Sequence, residues 1–390
     1  MDRVADAIVI GGGINGCTTA FELAKRGLTH VVLVEKGHIA GGPTGRSSGI
    51  VRQHYSQETL AAMARDSVKV WTHFADLVGG DAGFVNSGVV FMGGPKDAEA
   101  IRATVTMQQR IGIDVREMSG SELKAMEPAL FADDIACGAF EPGGGYADPA
   151  LAANSFAEAA ERAGVTILKK TTVTGLTIEG GRIRGVVTNQ GAISAPIVIN
   201  VAGPWGANIA AMAGARIPLT VSRHPVVTLQ RPAGWSGSTP VWGDLATGWY
   251  FKPERHGTIM VGSVRDVDDE VDAEDHNTVP TFAETEEYSA AILHRFPVME
   301  DGAAQGGWAG LYDVTPDYQP VIDRMPGVEG FYSAVGFSGH GFKISPAIGV
   351  AVSELVLDGA CRSYDIGLFR YSRFDQHESS RGAYGFGIVG

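Results

Sequence analysis

Cysteine is scarce in this chain of 390 residues: Cys17, Cys137 and Cys361 are the three, and no spacing among them suits a metal or a redox pair. A disulfide framework and a cysteine-built metal site are excluded, and reduced thiols are expected. Long apolar runs are missing too. None approaches the ~18–20 residues that cross a bilayer, and no signal-peptide pattern precedes the first apolar strand, so a soluble, cytoplasmic protein without a membrane span is expected. Basic residues are the minority charge, 31 against 44 acidic, and they form no cluster. Nucleic acid is therefore not expected as a partner.

What is present begins at once. Residues 6–36 read DAIVIGGGINGCTTAFELAKRGLTHVVLVEK. Ala7 to Ile10 form an unbroken apolar run, the pattern of a central parallel strand. Gly11, Gly13 and Gly16 follow, then an amphipathic helix with Ile14, Cys17, Phe21 and Ala24 on one side, ended by Gly27. A second apolar run, Val31 to Val34, ends on Glu35. Strand, glycine turn, helix, strand and acid together predict a dinucleotide site. Gly11 permits the tight turn, Gly13 lets a pyrophosphate approach the backbone, and Gly16 lets helix and sheet pack closely. The helix N-terminus, at Ile14 and Asn15, faces the phosphates. Glu35 is placed to accept from a ribose hydroxyl and to repel a 2′-phosphate. A second glycine turn of this kind, which a nicotinamide-reducing flavoenzyme would usually carry, is absent. One site suffices for a flavin held throughout catalysis, which favours FAD over NAD.

Further along, GGPTGRSSGIVRQHYS (41–56) supplies Thr44, Arg46, Ser47 and Ser48 as donors suited to phosphate and ribityl oxygens. Arg52 is either a surface charge or a fixed cation facing a carboxylate. Helices are expected near Thr59 to Leu77, over 96–111, Ser121 to Met126, 149–163, Thr281 to Phe296 and Ile344 to Leu357. Strands are expected at Ser87 to Met92, Val165 to Thr177, Arg182 to Thr188, Val226 to Leu229, Trp249 to Lys252, Ile259 to Gly262 and Phe331 to Val335. The pair Gly180–Gly181 makes a hairpin turn. Ala195 to Trp205 repeats the opening logic, an apolar strand running into small residues (Ala202, Gly203 and then Trp205), where sheet ligands bind. Asp266 to Asp275 reads as a solvated acidic loop. GFSGHGFK (336–343) is a glycine turn into a helix, and a lysine at a helix start, Lys343, calls for a compensating anion.

The opening motif, RSSGIVR, VAGPW and TPDYQPVI…GFSGHGFK, in that order, resemble the D-amino-acid-oxidase-like flavoproteins, and within them the glycine and sarcosine oxidase branch, including sarcosine oxidase β subunits. The resemblance covers residues 5 to about 360. It implies an α/β fold with an α+β second domain. A Rossmann-like FAD-binding domain (1–85, 145–220 and 315–390) would carry a discontinuous mixed-sheet substrate domain (86–144 and 221–314), with the flavin ring between them. Carried over by position, Gly11, Gly13, Gly16, Glu35 and Lys36 would hold the ADP half. Arg46, Ser47 and Ser48 would touch the pyrophosphate and ribityl chain, and the Val173 backbone the adenine. Gly339, His340, Gly341, Phe342 and Lys343 would meet the flavin edge. Arg52 and Lys343 match a pair that binds the substrate carboxylate, and Tyr250 is a further candidate for the pocket.

Two departures bear on chemistry. Gly310 stands where monomeric sarcosine oxidases carry the cysteine that bonds to flavin, so non-covalent FAD is expected there. Met260 replaces the lysine that helps those oxidases activate oxygen, which favours a dehydrogenase with another acceptor over O2. The expected reaction is oxidation of a C–N bond in a small amino acid or N-methyl amino acid by hydride transfer to flavin N5, the imine then hydrolysing. His340 is either a turn histidine or part of the site; His54 and His224 are read as structural, with histidine attachment of the flavin left open. Oxidation of a 2-hydroxy acid, which needs a base, and a role as flavin electron-transfer subunit are the alternatives. A partner subunit or a homo-oligomer is compatible with either. The tail from Cys361 to Gly390 carries no readable motif.

Overall fold

The structure is a computed structural model and describes residues 3–235, 240–266, 270–376, 382–384 and 387. Its organising layer is a six-stranded sheet. Ala7–Ile10 lies at the centre, between Val31–Val34 and Val198–Asn200, all in parallel register. Phe331–Val335 extends the parallel set beyond Val198–Asn200, Val321–Arg324 closes that edge antiparallel, and Thr166–Leu168 closes the other. Every residue of Ala7–Ile10, Val31–Val34 and Phe331–Val335 is buried, as unbroken apolar strands covered on both faces require. The helices Ile14–Lys25, Pro149–Arg162 and Ser345–Leu357 pack together against this layer.

A second, eight-stranded sheet carries the other half of the site. Its order runs Ala303–Val314, Thr220–Gln230, Thr258–Ser263, Trp249–Pro253, Val241–Asp244, Val89–Gly93, Cys137–Glu141, Arg116–Met118. Only the pairing of Val241–Asp244 with Val89–Gly93 is parallel. Glycine makes room for large rings here: Tyr250 pairs directly with Gly262, and a Cβ on Gly262 would lie 2.2 Å from the Tyr250 hydroxyl oxygen. A four-stranded sheet (Arg3–Val4, Gly191–Ser194, Arg182–Thr188, Val173–Glu179) and the short pair Ile50–Val51 with Gly145–Tyr146 complete the strands.

Three expectations need correction. The run Val165 to Thr177 is two strands in two sheets. Thr166–Leu168 pairs with Val32–Val34, the chain turns through Lys170 at φ 53°, and Val173–Glu179 then forms the hairpin with Arg182–Thr188. The helix expected from Thr59 to Leu77 breaks at His73 into Glu58–Thr72 and Phe74–Leu77. The twelve-residue strand Ala303–Val314 was not expected at all, because its glycines hide the alternation. Of the acidic loop, residues 267–269 lie outside the described ones.

The tail docks on the first sheet. Arg373 is fully buried and donates to both oxygens of Asp317 (2.8 and 3.1 Å) and to the Gln319 carbonyl. Among the described residues no helix is long and apolar enough to cross a membrane, and no group of His, Cys, Asp and Glu could hold a metal ion.

Candidate active site

A cavity of about 650 Å³ joins the two large sheets, within the ~300–1,000 Å³ usual for small-molecule sites. One end is the glycine turn. Gly11 sits at φ 117°, and a Cβ there would lie 2.4 Å from the Val201 carbonyl oxygen. A Cβ on Gly16 would lie 1.9 Å from the Gly11 carbonyl oxygen, so Gly16 is a packing residue behind the wall and not part of it. No side chain caps the helix at Gly13, whereas Thr44 Oγ1 accepts from the Ile14 amide at 3.1 Å. Asn15 Oδ1 is buried and unpartnered among the described residues. A helix N-terminus with no side chain at its N-cap and glycines that nothing larger replaces suit the phosphates of a dinucleotide, and the orphaned Asn15 oxygen suits one of its hydroxyls.

Glu35 does two jobs. Its Oε2 accepts from the Gly12 amide at 2.7 Å and its Oε1 from the Gly37 amide at 2.6 Å. The carboxylate therefore shapes the turn, and each oxygen keeps capacity for a ribose hydroxyl. Lys36, Thr171, Thr172 and Val173 line the same end. Arg46, Ser47 and Ser48 line the middle, with Ala202, Gly203 and Trp205 opposite. The tryptophan Nε1 of Trp308 donates to the Arg46 carbonyl at 2.8 Å, which ties the loop to the second sheet.

At the far end stand Tyr250, His224, Tyr312 and Gly310, with Gly339, Gly341 and Phe342 from the last glycine turn. Tyr250 is hydrogen-bonded to Ser48, and burial pushes its phenol well above its ordinary range. Tyr312, which the sequence reading missed, stacks on His224 at 3.7 Å between ring centres. Burial raises Tyr312 to about 12 and lowers His224 to about 3, so both are neutral at working pH. His224 also bonds to Ser222 at 2.8 Å and is a cavity residue, contrary to its structural reading. Asp313 lines the cavity as well, raised to about 6 by burial although the Gly336 amide donates to it at 2.6 Å.

Besides Gly16, three expected residues do not line the cavity: Arg52, Lys343 and His340 are buried just behind it. The Arg52 guanidinium lies 4.1 Å from the centre of the Tyr55 ring and 5.3 Å from that of Phe91, and donates to the His54 carbonyl. Lys343 Nζ donates to the Gly339 carbonyl at 3.1 Å. Burial, and then the nearby Arg52, hold the Lys343 ammonium well below its ordinary value. His340 lies parallel to Tyr55 at 5.4 Å and is lowered by burial, then by Lys343 and Arg52. Two basic side chains thus sit close together in a dry place.

Residues 270–280 were also missed as site material. Arg223 donates to the carbonyls of Asn277 and Val279, and the Ala309 amide to that of Thr278, while Val271 is fixed to Val221. Between these anchors the segment arches over the cavity. Glu274 Oε1 there accepts from Lys36 (2.5 Å) and from Trp205 Nε1 (2.7 Å), and Lys36 lies 3.5 Å from the centre of the Trp205 ring. Both ring nitrogens of His276 are buried on the cavity wall without a partner among the described residues. Glu274→Ala is expected to speed release of a bound dinucleotide about two- to fivefold, an exposed ion pair contributing little. Stopped-flow recovery of flavin fluorescence after dilution measures it, and an unchanged rate would mean that the arch does not retain the ligand.

The profile of the family described as "DAO: FAD dependent oxidoreductase" matches residues 6–355. The chain is similar to human mitochondrial sarcosine dehydrogenase (26% identity, 96% of this chain) but spans only 42% of that protein's length. It is similar to sarcosine oxidase subunit beta of Rhodobacter capsulatus at 28% identity, covering 94% of this chain and 88% of the relative. Among solved structures, the L-proline dehydrogenase from P. horikoshii superposes with a TM-score of 0.89 at 31% identity, covering 97% and 99% of the two chains.

Proposed function

Since the chain belongs to the DAO family of FAD dependent oxidoreductases, we propose that it oxidises the C–N bond of a small amino acid or N-methyl amino acid of the sarcosine, glycine, proline or D-amino-acid type. The observation that carries this reading is the buried pair of basic side chains, Arg52 and Lys343, just behind the cavity wall. Lys343 is disfavoured as an ammonium by burial and then by Arg52, while the buried Glu141 faces Arg52 and not the lysine. A substrate carboxylate bound beside the two would relieve both penalties, and Lys343 would take up a proton as it arrives. Sarcosine dehydrogenase, sarcosine oxidase subunit beta and L-proline dehydrogenase, by their names, act on such substrates.

FAD, when bound, supplies the hydride acceptor. Gly11, Gly13, Ile14, Asn15, Glu35, Lys36 and Val173 would hold its ADP half, and Arg46, Ser47, Ser48, Ala202, Gly203 and Trp205 its middle. Gly339, Gly341 and Phe342 would lie at the ring end. We assign 1–85, 145–220 and 315–390 to the FAD-binding domain and 86–144 with 221–314 to the substrate domain. Position 310 offers no thiol, so non-covalent binding is proposed. Arg52 and Lys343 would orient the carboxylate, and Tyr250 and Tyr312, both neutral, would close the pocket over the amine. Little acid–base help is required, because a neutral amine delivers hydride once it is positioned. The relatives named as β subunits support a partner subunit as electron route, with O2 or another carrier as final acceptor.

His224 supports a second reading, oxidation of a 2-hydroxy acid, because alcohol oxidation needs a base and an imidazole stands on the wall. One experiment separates them: anaerobic mixing of FAD-loaded protein with sarcosine, glycine, L-proline, D-alanine and lactate, followed by air. Bleaching of the flavin band by an amine is expected, with slow recolouring in air. Bleaching by lactate alone would overturn the amine reading in favour of the second.

A further inference from the structure

We propose that Tyr384, from the C-terminal tail, is a positioning residue for Arg52 acting through His54, so that the tail sets the affinity of the site for a carboxylate. This rests on the reading of Arg52 given above.

The segment after Ile50–Val51 enters a closed polar cluster: Arg52, Gln53 and His54 are all buried, and so are Thr104, Gln108, Glu141 and Tyr384. Arg52 is tied to His54 twice over. It donates to the His54 carbonyl, and both side chains use the ring of Phe91, the imidazole stacked on it at 4.6 Å and 14°. A shift of His54 therefore disturbs two of the groups that hold the guanidinium, with the Tyr55 ring, 4.1 Å away, as a third. The His54 ring is held by Tyr384 and lies beside Gln108. Its Nε2 lies 2.6 Å from the Tyr384 hydroxyl, while its Nδ1 has no hydrogen-bond partner among the described residues and Glu141 Oε1 stands off at 3.9 Å. Glu141 is already occupied by the Gln53 amide at 2.8 Å and Gln108 Nε2 at 2.9 Å.

Proton counting fixes the roles. The Tyr384 hydroxyl gives its one hydrogen to Thr104 Oγ1 at 2.9 Å, so the His54 bond must be donated by Nε2–H. The imidazole is neutral, since burial lowers it to about 3. Removing the tyrosine oxygen would leave that N–H buried without an acceptor, and the ring would turn to find another. Tyr384 is itself delivered by contacts outside the cluster: the Ala383 amide donates to Ser56 Oγ and the Gly387 amide to Asp266 Oδ1, both at 2.8 Å. The tail, docked on the first sheet by Arg373, thus brings Tyr384 and Gly387 to the second-sheet side of the site.

The test uses the full-length, FAD-loaded Tyr384→Phe variant, which keeps the ring and loses only the oxygen. The expected result is a roughly 3- to 10-fold rise in KM for the amino acid that bleaches the wild type, with kcat, FAD content and flavin spectrum unchanged and Tm lowered by no more than a few degrees. The Kd of acetate, read from perturbation of the flavin band, should rise by the same factor. In the Arg52→Ala background the tyrosine change should add nothing, because its effect passes through the arginine. Unchanged KM and acetate Kd would overturn the proposal, and so would a loss of Tm and FAD with kcat and KM falling together, which marks a structural role. Should Tyr384→Phe fail to fold, Thr104→Val loosens the same hydroxyl and must raise KM in the same direction. A wild type that no amino acid bleaches defeats the functional reading instead, and the acetate titration still decides the proposal.

Discussion

Arg52→Ala should raise KM for amino-acid substrates roughly 10- to 150-fold while the visible spectrum of the bound flavin stays as it was. The magnitude is that of losing a hydrogen bond to a charged group, ~1.5–3 kcal/mol. The direction follows from placement. Arg52 is buried behind the cavity wall against Tyr55 and Phe91, so its loss removes a cation from a site where water would not replace it. The nearest FAD-binding residues on the chain, Ser47 and Ser48, line the cavity while Arg52 does not, and flavin retention should not follow. Lys343 should partly compensate: without Arg52 nearby, one of the two effects that disfavour its ammonium is gone. Arg52→Lys should recover only part of the affinity, since an ammonium cannot reproduce the planar, forked donor set. Steady-state KM with the best amine substrate reads all of this, and a KM within twofold of wild type would remove Arg52 from the site.

The second large effect is on the cofactor. Glu35→Ala should weaken FAD binding roughly 10- to 100-fold, measured by fluorescence titration of the apoprotein. Two backbone amides, of Gly12 and Gly37, lose their acceptor together with the ribose. The turn itself loosens, so the loss should exceed that of one ribose contact. Glu35→Gln keeps one acceptor oxygen and should fall between. An unchanged FAD Kd in the alanine variant would mean that the carboxylate serves the turn of the apoprotein alone.

The sequence revealed different parts of this site with different clarity, for physical reasons. The glycine turn, Glu35 and the strands Val31–Val34 and Phe331–Val335 were legible because buried parallel strands are unbroken apolar runs and because the turn's geometry admits no side chain at Gly11 or Gly16. Tyr312, His224 and His276 were not. Tyr312 lies on Ala303–Val314, whose AAQGGWAG start has no alternation to read, and its partner across the sheet is Ser222, ninety residues upstream. His276 sits in an acidic stretch that looks like solvent-facing loop, and only the anchors from Arg223 and Ala309 turn it inward. Arg52 and Lys343 were legible as charges in odd places. That they stand behind the cavity wall was not, because it depends on the packing of Tyr55 and Phe91. The tail had no motif, since its anchors are single residues: Arg373 for Asp317 and Tyr384 for His54.

The register of the central sheet also constrains how the protein is made. Ile8 pairs with Val198, and Val198 with Phe331. The strand that precedes the glycine turn is therefore synthesised first but cannot be flanked on that side until half the chain has been translated, and the layer is not completed until Phe331–Val335 has emerged. A nascent chain of this kind carries exposed apolar strands for most of its time on the ribosome, and its slow step is the closing of very long loops. Flavin loading consequently belongs to the end of folding. Flavin shortage during expression should then raise the fraction of aggregated chains.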